Sequence, residues 1–62
     1  MYIIRDDTGK YLTQYFSISC NFQHGEEQAI RFDSLKRASK VLQNISKLVP
    51  EYIKLEIIFC KN

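Results

Sequence analysis

The strongest constraint in this chain is a run of apolar residues at helical spacing: Leu35, Ala38, Val41, Leu42, Ile45, Leu48 and Val49. Residues three, four and seven apart share one side of an α-helix, so these positions form a single apolar stripe. Asp33 and Ser34 precede the run, and both are good N-cap residues; an acid there also suits the helix dipole. Pro50 follows it, and the residue before a proline avoids the α region. The sequence predicts one amphipathic helix from Ser34 to Val49. A lone amphipathic helix cannot bury its own stripe, so the rest of the chain has to supply the opposing layer.

The flanking segments read as strands. Tyr2–Arg5 is a short one. Asp6-Asp7-Thr8-Gly9-Lys10 is a turn by chemistry, because Asp bonds nearby backbone and Gly supplies the positive φ of a tight hairpin. Tyr11–Thr13 resumes the extended chain. From Phe16 to Phe22 apolar and polar residues alternate, with Phe16, Ile18, Cys20 and Phe22 on one side; period two predicts a half-buried strand there. Gln23–Glu27 is a second turn, Ala29–Phe32 another short strand, and Tyr52–Cys60 the last one, with Ile53, Leu55, Ile57 and Phe59 on one face. The expected fold is α+β: an antiparallel sheet of three to four strands with one helix across one face, in the order β-β-β-α-β. A right-handed crossover follows if the last two strands are parallel neighbours. At 62 residues the chain is one domain, residues 1–62. The sheet face away from the helix has no second helix to cover it. Tyr2, Tyr11, Tyr15, Ile58 and Cys60 are the candidates to cluster there as a contact surface.

Chemistry is sparse. His24, the single histidine, falls in a turn. A thiol nucleophile would pair it with Cys20, four residues away, but the segment offers no cation beyond that histidine to lower the thiol pKa. Cys20, His24 and Cys60 lack the spacing of a metal site. Gly9 and Gly25 stand in separate turns, so no phosphate-cradling loop exists. The sequence therefore predicts a non-enzymatic protein without catalytic residues, cofactor or metal. Two cysteines are too few for a disulfide scaffold, and no apolar run reaches the length of a membrane span. The expectation is a cytoplasmic protein with reduced thiols and no membrane association.

Charge placement stands above this background. The net charge is only +2, yet the helix carries Lys36, Arg37, Lys40 and Lys47 and no acid after Asp33. Lys36, Lys40 and Lys47, with Gln43, follow i, i+4, i+11 and i+7, a basic stripe opposite the apolar one. Such a stripe is either a solvated face or a surface for an anionic partner.

Two stretches carry a resemblance: Ile3-Ile4-Arg5-Asp6 through Gly9-Lys10-Tyr11-Leu12, and Ala29-Ile30-Arg31-Phe32-Asp33-Ser34 followed by Ala38. Together the chain resembles a loose group of very small proteins from phages and prophages of Gram-positive bacteria. That resemblance implies a protein of the bacterial host cytoplasm that acts by binding a host protein, including roles in host takeover or in blocking defence. The leading expectation is a protein-binding module using Lys36, Arg37, Lys40, Lys47, Tyr2, Tyr11 and Tyr15. The alternatives are a small nucleic-acid-binding protein using the basic helix face, and a self-associating protein, with a homodimer formed through the second sheet face or a strand edge.

Overall fold

The computed structural model describes residues 1–61. Its elements are β1 (Tyr2–Asp6), β2 (Tyr11–Tyr15), β3 (Cys20–Gln23), a turn of 3-10 helix (Glu26–Gln28), α1 (Leu35–Ile45) and β4 (Leu55–Phe59). The strands form one sheet in the order β3-β2-β1-β4, with every pairing antiparallel. This is the expected α+β architecture and the expected β-β-β-α-β order. The parallel crossover does not occur, because β4 runs antiparallel to β1, from Tyr2 opposite Phe59 to Asp6 opposite Leu55. Among the described residues, no helix is long and apolar enough to cross a membrane.

The β1–β2 turn follows from its residues. The Thr8 N–H (2.9 Å), the Thr8 hydroxyl (2.7 Å) and the Lys10 N–H (3.0 Å) all donate to Oδ1 of Asp6. Gly9 takes φ +90°, which a side chain would resist. Past the pair Arg5–Tyr11 the two strands separate, and residues 29–32 enter the fork. There Ile30 donates its N–H to the Leu12 carbonyl, and Phe32 exchanges both backbone bonds with Tyr2. The strand expected at Ala29–Phe32 is thus reduced to a single bridge at Phe32. It has two neighbours but only one ladder contact with each.

Helix and sheet meet in one core of Ile4, Leu12, Phe32, Ala38, Val41 and Ile45, with Tyr2, Phe22, Leu42, Leu48 and Ile57 packed around it. Ser34 is the N-cap, and its Oγ accepts from the Arg37 N–H at 3.2 Å. The α-helix stops at Ile45, four residues short of the expected end. The Ser46 hydroxyl donates back to the Gln43 carbonyl, and Leu48 bonds Ile45 rather than Asn44. Serine competes with helix continuation in this way, and Pro50 already disfavours helix at Val49. Leu35, expected in the core stripe, is 52% exposed at the helix's first turn. The last strand is shorter than Tyr52–Cys60, because Pro50 starts a turn closed by the Ile53 N–H on its carbonyl.

Candidate interaction site

The segment read as a strand from Phe16 to Phe22 is instead the reversal of a hairpin. β2 ends at Tyr15, the chain turns through residues 16–19, and the Phe16 N–H donates to the Ser19 carbonyl at 2.6 Å before β3 begins. Only Cys20 and Phe22 of the alternating set reach the core. Phe16 is 59% and Ile18 84% exposed. Alternation describes two strand faces only while the chain runs straight, and this chain reverses.

A β-bulge sets the position of Tyr15. Leu12 lies opposite Phe22, but Gln14 lies opposite Asn21, so one extra residue is inserted in β2. A single inserted residue reverses the side of everything beyond it. Gln14 turns to the open face, where its side-chain carbonyl accepts from Asn21 Nδ2 at 3.1 Å. Tyr15 turns to the helix side, with its ring 6.3 Å from that of Phe32. Parity alone would have kept it with Tyr11.

The result is a groove between the hairpin and α1. Tyr15, Phe16 and Ser17 form one wall and Asn44 and Lys47 the other, around a volume of about 430 Å³. A second depression of about 260 Å³ continues past Tyr15, lined by Ile30, Arg31, Phe32, Asp33 and Arg37. Tyr15 therefore stands between two cationic positions of the helix side, Arg37 and Lys47. Arg37 sits in the first turn of α1 and Lys47 in the turn that follows its end at Ile45.

The residues singled out from sequence separate into three places. Arg37, Lys47 and Tyr15 line the groove. Lys36 and Lys40 are exposed on the outward side of the helix, next to it. Tyr2 and Tyr11 are elsewhere. Tyr2 packs on the core from the helix side and meets Phe59 edge-on, with ring centroids 5.4 Å apart. Tyr11 remains on the open face, half-buried beside Arg5. The expected cluster of Tyr2, Tyr11, Tyr15, Ile58 and Cys60 on that face therefore does not form. On that face Ile3 is fully buried opposite Ile58, and beside them Glu56 accepts from Arg5 at 2.6 Å, where both Glu56 and Tyr11 favour the charged guanidinium. Phe16 and Ile18 escape a sequence reading because apolar residues at period two look like core.

The groups with nucleophilic or ligating chemistry lie apart. Burial pushes the Cys20 thiol up, so it keeps its proton at neutral pH. His24 is exposed in the turn after β3. Cys20 and Cys60 stand at opposite edges of the sheet, at least three strand spacings or ~14 Å apart, too far for a disulfide within one chain. Among the described residues, no group of three His, Cys, Asp or Glu side chains is placed to hold a metal ion. Comparison with protein-family models, curated proteins and solved structures finds no match to the chain.

Proposed function

We propose that this protein is a small protein-binding module whose contact surface is the β2–β3 turn and the groove beside it. The observation that carries the reading is the display of Phe16, 59% exposed on the wall of a groove flanked by Arg37 and Lys47, with Ile18, 84% exposed, in the same turn. Exposed aromatics beside arginine are the residue types that dominate binding energy at interfaces. The partner this surface suits has an apolar socket for the turn and carboxylates for the two cations. An extended acidic segment lying along the groove would present carboxylates to Arg37 and Lys47 from residues several positions apart. In the setting implied by the resemblance to small phage proteins, the partner is a host protein whose activity the binding modulates. The reading is of a binder rather than an enzyme, supported by the burial that keeps the Cys20 thiol protonated.

The test is capture from bacterial lysate with the tagged chain, with and without nuclease, alongside Phe16→Ser/Ile18→Ser and Arg37→Glu/Lys47→Glu. One protein recovered in near-equal amount, indifferent to nuclease and lost with both double variants, is the expected result. Recovery that vanishes with nuclease and falls steeply with salt would replace this reading with phosphate binding by Lys36, Arg37, Lys40 and Lys47. Recovery unchanged in both variants would refute the groove as the contact surface.

A further inference from the structure

The two edges of the sheet differ. β3 is four residues long, faces a bulge, and alternates polar Asn21 and Gln23 with its inward residues. These are features that discourage pairing with another chain. β4 has none of them. It is regular over five residues, contains no proline or bulge, and is apolar at every position but Glu56. No strand of the described residues lies beyond it.

The hydrogen-bond parity shows what that edge offers. Tyr2 exchanges its backbone bonds with Phe32, and the Asp6 N–H donates to Lys10, both on the β2 side of β1. Met1 exchanges its own with Cys60, at 3.0 and 2.8 Å. Odd residues of β1 therefore face β4, and their bonded partners are Cys60, Ile58 and Glu56. Successive residues alternate sides, so Leu55, Ile57 and Phe59 turn their N–H and C=O groups to the open edge.

We propose that a second copy of this chain pairs with β4 antiparallel, about a two-fold axis at Ile57. In that register Leu55 meets Phe59, Ile57 meets its own counterpart, and all the outward groups of Leu55, Ile57 and Phe59 find partners. A shift by two residues leaves some of them unpaired. Charge permits the pairing. The one ionised residue of β4, Glu56, is neutralised within its own chain by Arg5 at 2.6 Å. The helix side toward β4 is uncharged. Since Arg37, Asn44 and Lys47 face the groove, 100° per residue places Leu35, Ser39, Leu42 and Ser46 on the opposite flank. Leu35 and Phe59, 52% and 63% exposed, are the large apolar residues that α1 and β4 themselves leave to solvent.

The helix geometry agrees. α1 packs on β1 and β4. An axis midway above them lies about one strand spacing, ~4.8 Å, from the two-fold. Two such helices stand about 10 Å apart, the separation of packed helices. The five residues Leu55–Phe59, paired with their counterparts and joined by Leu35, make a small interface beside the ~1,200–2,000 Å² of stable complexes. The dimer is therefore a concentration-dependent one, with a continuous eight-stranded sheet. It leaves the groove open and does not depend on the binding reading above.

Sedimentation of the full chain over a concentration series tests this, with Phe59→Pro and Leu35→Lys. The Phe59 N–H is outside the β1–β4 ladder, so proline there removes an edge donor without breaking that ladder. A monomer–dimer equilibrium weakened about tenfold or more in both variants is expected. Lys54→Cys should also form an interchain disulfide with Cys60 of the second copy, since this register sets them opposite, at a Cα separation of about 4.5 Å. A monomer at every concentration overturns the proposal. So does a dimer that persists in Phe59→Pro or, should circular dichroism show that chain unfolded, in Leu35→Lys.

Discussion

Asp6 is 6% exposed, and one of its oxygens receives three hydrogen bonds that shape the first hairpin. Burial by itself pushes this carboxyl up. The bonds from the Thr8 side chain and from the Lys10 and Thr8 N–H groups, with the Lys10 charge, outweigh it and hold the group below the usual carboxylate range. Hydrogen bonds to a charged group contribute about 1.5–3 kcal/mol each, but three on one oxygen are not additive. Asp6→Ala should therefore lower stability by about 2–3 kcal/mol, from a total of roughly 3–9 kcal/mol for a chain of this length. Asp6→Asn keeps an acceptor at Oδ1 and removes only the charge, so its loss should be near 1 kcal/mol. Urea denaturation followed by circular dichroism measures both. With a slope of about 1 kcal/mol per molar, the Ala variant's midpoint should fall by about 2–3 M. Because the folded-state pKa is depressed, the charge contributes stability above the unfolded value of about 3.9 and loses it as pH falls through the folded value. The gap between wild type and Asp6→Asn should accordingly close in that acidic window. An Ala variant within about 0.5 kcal/mol of wild type, or an Asn gap that ignores pH, would refute this account of the turn.

Two further outcomes follow from single contacts. Ser34→Ala removes the acceptor for the Arg37 N–H and should destabilise by about 1 kcal/mol, read as a drop in thermal midpoint of roughly 4–8 °C, whereas Ser34→Asp should restore it. The Arg5–Glu56 pair is short but 38% and 54% exposed, so a double-mutant cycle should return a coupling near the limit of detection, smaller still at high salt.

Elements governed by a repeating pattern are legible in the residues themselves. The stripe Ala38, Val41, Leu42 and Ile45 could only face a sheet, and Leu55, Ile57 and Phe59 share the side of β4 that meets the helix. The Asp6–Lys10 turn is legible from residues with few other uses. What stays hidden depends on single events that leave no period. The bulge in β2 costs one residue of register and moves Tyr15 from the company of Tyr11 to the groove. The reversal at residues 16–19 turns half of an apparent core face into surface. The groove itself joins segments about thirty residues apart, Tyr15–Ser17 with Asn44 and Lys47, and only tertiary packing brings them together.

The position of β1 in the sheet also governs how the molecule can be assembled. β1 is paired along its full length only with β4, nearly fifty residues later in the chain, from Tyr2 opposite Phe59 to Asp6 opposite Leu55. Its hold on β2 is a single opposed pair. The hairpins and the helix can form in passing during synthesis, but the central strand gains its longest partner only when Leu55–Phe59 emerge. Closing a loop of that length is the slow step for strand pairing. The nascent chain therefore carries Ile3 and Ile4 without their final neighbours until Leu55–Phe59 have been made, and the sheet closes in one late event rather than growing outward from β1.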